Sequence, residues 1–146
     1  MVNQLSQDAR KYLYSAAAAG RIFNRPSSDV EHLQVWAAVV WLKFKGDRPR
    51  FVSKSWFKTH FVLWRRVKGK RLREAGAVRR ESQHSFSVIS ERQNKFHSVE
   101  LGDRVLFCTC GDFQKQTELF GKACCKHGYA VLQMLGHGTL QDFIAA

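Results

Sequence analysis

The sequence has little of several features that mark common protein classes. Only two prolines occur in its 146 residues, and neither a low-complexity tract nor an internal repeat is visible. The longest apolar run, Val35 to Leu42, is far shorter than the roughly twenty residues that cross a bilayer. Charged Asp8 and Arg10 stand just before the alanine-rich stretch at 16–19, so no secretory signal is expected there. We therefore expect an intracellular protein with reduced thiols, either cytoplasmic or associated with a nucleoid or nucleus.

Sequence signatures of common catalytic sites are also missing. There is no Gly-rich phosphate-binding loop, no Gly-x-Ser-x-Gly elbow and no zinc-protease helix motif. Acidic residues are scattered, without a paired cluster suited to a metal-dependent nuclease, and His60, His84 and His97 each stand alone. The sequence therefore indicates a binding protein rather than an enzyme, with no small-molecule substrate.

Positive charge is what the sequence has in excess. Its 24 Lys and Arg residues against 12 Asp and Glu residues give a formal net charge of +12. The segment from Lys43 to Arg80 contains fourteen basic residues and only two acidic ones, so it accounts for the whole excess. A concentrated basic surface gains free energy by releasing the counterions of phosphates. This segment at 43–80 therefore predicts a nucleic-acid partner.

The basic segment also supplies the candidate nucleic-acid contacts. Its aromatic residues can either stack on bases or pack in a core, and packing is favoured for most of them: Phe51, Trp56, Phe57, Phe61 and Trp64. The basic run that begins at Arg65 is expected to be exposed because it is too charged to be buried. The predicted contacts are Lys54, Lys58, Arg65, Arg66, Lys68, Lys70, Arg71, Arg73, Arg79 and Arg80.

Three of the four cysteines form a metal-site pattern with a histidine. Cys108 and Cys110 are separated by one residue, and Cys125 and His127 follow with the same spacing. Thiolate and imidazole are preferred zinc ligands, and a closed set of four indicates a structural ion. In an extended strand, residues i and i+2 share a face, so Cys108 and Cys110 can reach one ion. The pattern predicts one structural Zn²⁺.

Two other side chains compete for places in this ligand set. Cys124 is adjacent to Cys125 and could replace it, although the spacing to His127 favours Cys125. His137, in a Gly-His-Gly turn, is a weaker candidate for the fourth ligand. Cysteines of a reduced protein can also simply pack in a core.

The two pairs together resemble the signature of the SWIM-type zinc finger family, over about residues 84–135. The resemblance implies a short set of strands ahead of the first pair and the same four ligands, with Cys125 rather than Cys124. It also implies a role in DNA binding or in protein interaction. The first eighty residues lie outside it.

Sequence periodicity predicts an α+β protein whose N-terminal part is helical. One helix is expected over 6–19, bounded by Gly20. A second is expected from Ser28, which has capping-box spacing to Glu31, through apolar residues at helical intervals to Phe44. For residues 51–74 a helix is favoured over a strand, with Ser53 or Ser55 as its cap.

The C-terminal part is expected to contain a small antiparallel β-meander and a zinc-clipped helix. Strands are predicted over 84–90, 95–101 and 104–107, with a turn at 91–94 between the first two. The helix should begin near Cys125 and His127 and end at Gly136. These elements divide the chain into a helical part, 1–80, basic towards its C-terminal half, and a zinc-binding module, 81–146.

The sequence thus favours a small zinc-stabilised nucleic-acid-binding protein that uses the segment at 43–80. DNA is favoured over RNA only because of the family resemblance. The alternative is an adaptor in which the zinc module is a docking surface for a protein partner. Neither hypothesis involves a membrane.

Overall fold

The computed structural model describes residues 4–90 and 94–145. The chain divides into two compact units, Met1–Leu63 and Trp64–Ala146. Each unit contains one antiparallel sheet together with helices. The predicted α+β class is therefore confirmed. No helix within 4–90 or 94–145 is both long enough and apolar enough to cross a membrane.

Two short helices open the first unit, α1 at Gln7–Leu13 and α2 at Ala16–Phe23. The side chains of Ser6 and Ser15 each accept a hydrogen bond from the backbone N–H three residues ahead, so each serine begins a helix. The single helix predicted over 6–19 is thus divided at Ser15. Its end at Gly20 is wrong, because α2 continues past that residue. A Cβ at Gly20 would lie 2.5 Å from a backbone oxygen, so glycine is required there by close packing.

A three-stranded sheet follows, with β1 at Val30–Val35, β2 at Val39–Phe44 and β3 at Arg50–Ser53, in the order β1-β2-β3. The predicted helix from Ser28 to Phe44 is therefore wrong. Most of the apolar residues that fitted a helical period are β-branched or aromatic, which favours strands, and Leu42 between Val40 and Phe44 completes a period of two.

The side chains of β2 are buried with the two-residue period of a strand. Val40, Leu42 and Phe44 alternate along the strand and are fully buried. A hairpin connects β1 to β2 through Ala37 and Ala38, residues that do not mark a turn in the sequence. Ser28 lies in a single 3₁₀ turn instead of capping a helix.

Helix α3, Lys54–Glu74, is the longest element. The helix favoured over 51–74 is confirmed from residue 54 onward, and its first predicted residues belong to β3. Ser53 Oγ accepts a hydrogen bond from the N–H of Ser55 at 3.3 Å, beside the start of the helix. Gly76, with φ +70°, follows its end.

The second unit contains a four-stranded sheet in the order β4-β5-β6-β7. The three predicted strands are confirmed with slightly different bounds, and β4 was not predicted. The predicted turn at 91–94 lies outside the described residues except for Asn94, which has φ 51°. The strands are β4 Val78–Arg80, β5 Ser85–Ile89, β6 Phe96–Leu101 and β7 Leu106–Cys108.

Three helices complete this unit, α4 at Gly111–Phe120, α5 at Lys126–Met134 and α6 at Leu140–Ala145. The helix expected near Cys125 is confirmed as α5, and Gly136, with φ +88°, follows it. Helices α4 and α6 were not predicted. Alternate residues of β5, β6 and β7 pack with α5 into one core, in which the cysteines lie beside apolar side chains.

Candidate metal centre

The four predicted ligands converge in the second unit. One side-chain donor atom from each of Cys108, Cys110, Cys125 and His127 lies within 4.8 Å of the other three. All four residues are buried, with 0–4% of their surface exposed. A buried cluster of three thiols and one imidazole is the donor set of a structural zinc ion.

The distances within the cluster fit one tetrahedral ion. His127 Nδ1 lies 3.8 Å from Cys108 Sγ and 3.8 Å from Cys125 Sγ. With zinc–ligand bonds of roughly 2.3 Å to sulfur and 2.0 Å to nitrogen, tetrahedral geometry places S and N about 3.5 Å apart. His127 therefore presents Nδ1 to the ion. Its buried Nε2 has no hydrogen-bond partner among the described residues.

Local structure explains how each cysteine reaches the cluster. Cys108 is the last residue of β7, whereas Cys110 and Cys125 are the N-cap residues of α4 and α5. Cys110 Sγ accepts a hydrogen bond from the N–H of Phe113 at 3.3 Å, and Cys125 Sγ accepts one from the N–H of Gly128 at 3.4 Å. Helix N-termini stabilise nearby negative charge. Two of the three thiolates are therefore stabilised by a helix as well as by the metal.

Electrostatics within the cluster favours a bound cation. A hydrogen bond shared with Cys108 lowers the pKa of Cys110. The same hydrogen bond raises the pKa of Cys108, and hydrogen bonds with Cys108 and Cys110 raise the pKa of Cys125. Three negative charges this close together repel one another in a buried site. The group can hold all three thiolates only with a bound cation, which links zinc binding to proton release.

His97 was expected to be isolated, but its ring contacts a ligand. The centroids of the His97 and His127 rings are 4.5 Å apart with an interplanar angle of 34°. Burial lowers the pKa of His97, and the neighbouring His127 lowers it further. His97 on β6 thus helps to fix the ring plane of His127. Sequence reasoning missed this contact because the two histidines are thirty positions apart.

Cys124 is buried but lies outside the ligand cluster. Burial raises the pKa of its thiol to about 12, so it behaves as a neutral side chain. Its backbone N–H donates to Gln116 Oε1 at 3.1 Å, and its carbonyl accepts from Gln116 Nε2 at 3.3 Å. These bonds fix the backbone immediately before Cys125. The other competing residue, His137, lies outside the cluster, and its ring centroid is 5.6 Å from that of Phe143.

Arg65, predicted to be exposed, is buried with 7% of its surface accessible, so that expectation is wrong. Its Nε and Nη2 atoms each lie 2.9 Å from a carboxylate oxygen of Asp112. This two-point ion pair compensates the buried guanidinium for the loss of its hydration. Gln116 Nε2 also donates to Asp112 at 2.9 Å. Arg65 thus connects α3 to the first turn of the helix that begins at Cys110.

A second contact connects α3 to the other zinc-bearing helix. A Cβ at Gly69 would lie 2.7 Å from Tyr129 Cβ and 2.8 Å from the Lys126 carbonyl oxygen. Only glycine allows α3 to approach α5 this closely. Gln133 Nε2 on α5 also donates to the Arg66 carbonyl at 3.2 Å.

The remaining predicted contacts fall into three groups. Lys54 and Lys58 belong to the first unit, where Lys54 Nζ donates to the Ala37 carbonyl at 2.9 Å. Arg66 and Lys68 are half-buried. The exposed residues of the second unit are Lys70, Arg71, Arg73, Arg79 and Arg80.

The aromatic residues of the basic segment also differ in how far they are buried. Phe57 is fully buried, as predicted, and Phe61 and Trp64 are half-buried. Phe51 and Trp56 are instead 62% and 55% exposed. Packing therefore accounts for only part of the aromatic content.

Comparison with known families agrees with the geometry. Residues 97–136 match the family model of the SWIM zinc finger, which confirms the predicted resemblance for that segment. The segment contains all four ligands, most of β6, and helices α4 and α5. Searches of curated proteins and of solved structures found no match. The match and the buried Cys3His cluster together define a zinc-binding module for one structural zinc ion.

Proposed function

We propose that the protein binds DNA through a basic surface that the zinc module holds in place. This basic surface consists of Arg66, Lys68, Lys70, Arg71, Arg73, Arg79 and Arg80, on the second half of α3 and on β4. The observation that carries the proposal is the attachment of α3 to both helices that begin at zinc ligands.

The distribution of side chains around α3 supports this assignment. Arg65, Gly69 and Leu72 are buried and recur at intervals of four and three residues, so they form one face of the helix. The basic residues of α3 that follow Arg65 occupy both flanks of that face and the side opposite to it. A helix of this kind can contact phosphates without disturbing its packing.

Two cations of the basic surface form ion pairs that phosphates can replace. Lys70 lies 3.9 Å from Glu74, and Arg79 lies 4.0 Å from Glu81, with all four side chains exposed. Exposed pairs at such distances are weak and are screened by salt. Phosphates can therefore replace these carboxylates as partners of the two cations.

The zinc cluster contributes to binding by fixing the position of α3, which carries most of the basic surface. Asp112, two residues after Cys110, fixes Arg65, and α5, which starts after Cys125, packs against Gly69. Zinc at the cluster would hold both helix starts together. We infer that the basic surface is displayed on a rigid scaffold, which lowers the entropy lost on binding. A zinc ion held by all four side chains would have no open position for a substrate, so the proposed activity is binding without catalysis.

The family association favours DNA as the partner, and contacts made mainly to phosphates would position the protein without reading sequence. Thiols stay reduced inside the cell, where cysteine clusters are more often metal-binding than disulfide-bonded. The same proposal therefore places the protein inside the cell.

A salt titration of binding to a short labelled duplex tests the proposal. The variant Lys70→Ala with Arg73→Ala is compared with Lys115→Ala with Lys122→Ala, a control that removes two exposed charges from outside the basic surface. We expect affinity to fall steeply with salt, with a slope about 0.9 smaller for each phosphate contact that the first variant loses. A flat salt response, or equal losses in both variants, would contradict the proposal.

A protein-docking role is the second candidate. Val105 and Phe107, before and within β7, are 61% and 49% exposed, and such apolar side chains near the zinc cluster favour a protein partner. If the purified protein fails to bind duplex DNA at physiological salt, this candidate replaces the first.

A further inference from the structure

The sheet of the first unit has two unlike faces. Residues paired across neighbouring strands point to the same side, and residues alternate between sides along each strand. Gln34, Trp41 and Phe51 are paired across β1, β2 and β3, so they form one row. His32 lies two residues before Gln34, on the same side. Trp36, whose N–H donates to the Val39 carbonyl at 2.8 Å, extends this side towards the β1–β2 turn.

The opposite side of the sheet forms the core of the unit. Val40, Leu42, Phe44 and Val52 are 0–4% exposed. The alternation explains why their neighbours point to solvent. The four rings on the outer side are called the aromatic face, which consists of His32, Trp36, Trp41 and Phe51.

These rings form a nearly continuous surface. The centroids of Trp36 and Phe51 are 5.2 Å apart, and those of His32 and Trp41 are 5.9 Å apart. Trp36 is 45% exposed and Phe51 is 62% exposed. Trp36 Nε1 donates to Gln34 Oε1 at 3.2 Å, a bond that fixes the indole on the sheet. Large exposed rings grouped in this way mark an interaction surface.

The charge around the aromatic face identifies the kind of partner. Three of the four acidic groups in the first unit are already paired with a base: Asp29, Glu31 and Asp47. Lys45 and Arg48, in the connection from β2 to β3, are exposed.

The other end of the sheet is basic as well. Lys54 Nζ lies 2.9 Å from the Ala37 carbonyl, in the turn beside Trp36. Cations thus stand at both ends of a surface made of rings. Such a surface is complementary to a partner that combines flat apolar faces with negative charge.

We propose that the aromatic face stacks unpaired bases of single-stranded DNA while Lys45, Arg48 and Lys54 contact its phosphates. Aromatic rings on an open sheet and cations that track the backbone are the two components of single-strand recognition. A duplex hides the flat faces of its bases, so it cannot use this surface. The inference depends on the proposed function for the choice of DNA, but it concerns a different surface in the other unit.

The test measures affinity for a labelled oligothymidylate and for a duplex of equal length. The variants Trp36→Ala and Phe51→Ala are compared with Phe96→Ala, because Phe96 in the other unit is as exposed as Phe51, at 62%. We expect each of the first two variants to bind the single strand about tenfold more weakly. Duplex binding, and both affinities of the Phe96→Ala control, should remain at the level of the unchanged protein.

Phe51→Leu serves as the variant that keeps the fold. It retains the apolar area of β3 but removes the ring, and it should lose as much single-strand affinity as Phe51→Ala. Wild-type affinity for the single strand in both Phe51 variants would overturn the inference. Equal losses on duplex and single strand would do the same. A tighter complex with the same oligonucleotide as RNA would overturn the assignment to DNA.

Failure of this inference can be distinguished from failure of the proposed function. If the duplex binds with a steep salt slope but the aromatic variants have no effect, only the inference is wrong. If the duplex does not bind while oligothymidylate binds and needs Phe51, only the role of the basic surface is wrong.

Discussion

The two units build their sheets from the same antiparallel pairing but stabilise them differently. In the first unit the described buried residues are mostly hydrocarbon side chains, such as Leu42 and Phe44 on β2 and Phe57 on α3. In the second unit Val88 and Val99 share the core with the three zinc-ligand cysteines and His127. A hydrocarbon core is stable through burial alone. A core in which three thiols and an imidazole converge is expected to depend on a bound metal, so the comparison predicts metal-independent folding of the first unit and metal-dependent folding of the second.

Removal of the metal should produce the largest difference in stability between the two units. A chelator, or Cys110→Ser, should unfold the second unit, because structural zinc contributes on the order of 10 kcal/mol. We expect the amides of β5 and β6 to lose hydrogen-exchange protection while those of β2 keep theirs. Protection of β5 that survives complete chelation would show that the cysteines pack without needing the ion.

A cavity in the hydrocarbon core provides the converse test. Leu42→Ala removes a fully buried side chain from β2 and should lower the free energy of unfolding by about 3 kcal/mol. Zinc affinity should not change, because the ligands all belong to the other unit. Denaturant unfolding and a competitive zinc titration measure the two quantities. A large loss of zinc affinity would contradict the separation of the two cores.

Gly69→Ala sharpens the comparison within α3. The added methyl group would collide with Tyr129 and with the Lys126 carbonyl, at a cost of about 2 kcal/mol from overpacking. Alanine's better helix propensity offsets roughly half of that cost. Gly111→Ala is the control, because a Cβ there meets nothing within 4 Å. Thermal unfolding should distinguish a destabilised first variant from a neutral or slightly stabilised second one.

The smallest effect is expected at Cys124. Cys124→Ala should cost about 1 kcal/mol, typical of a single substitution, and leave one zinc ion bound, whereas Cys125→Ala should abolish tight zinc binding. Metal analysis of the two purified variants makes the comparison. Loss of zinc from Cys124→Ala would place the ligand at position 124 instead.

The ligand cluster could be predicted because its information is local. Each pair needs only a spacing of two residues at the end of a strand or at the start of a helix, and Cys108 and Cys125 stand at such positions. The support for the cluster is not local. Arg65 reaches Asp112 from forty-seven positions away, and its charge alone indicates exposure.

The β1–β2 hairpin and α4 were among the elements that sequence reasoning missed, for different physical reasons. The hairpin of β1 and β2 has a turn of two alanines, so nothing interrupts an apolar pattern that also satisfies a helical period. Helix α4 begins at a residue interpreted only as a metal ligand. A cysteine side chain can cap a helix while it ligates, and Asp112 in the first turn and Gly121, with φ +73°, after the last turn were the available signals.

The central claim is that zinc orders the surface that binds DNA. The most direct test is duplex binding by one preparation at fixed salt, first zinc-loaded, then chelated, then supplied again with zinc. We predict that affinity falls at least tenfold on chelation and returns when zinc is restored, because Arg65 and Gly69 lose the helices that fix α3. Equal affinity in all three states would contradict the claim.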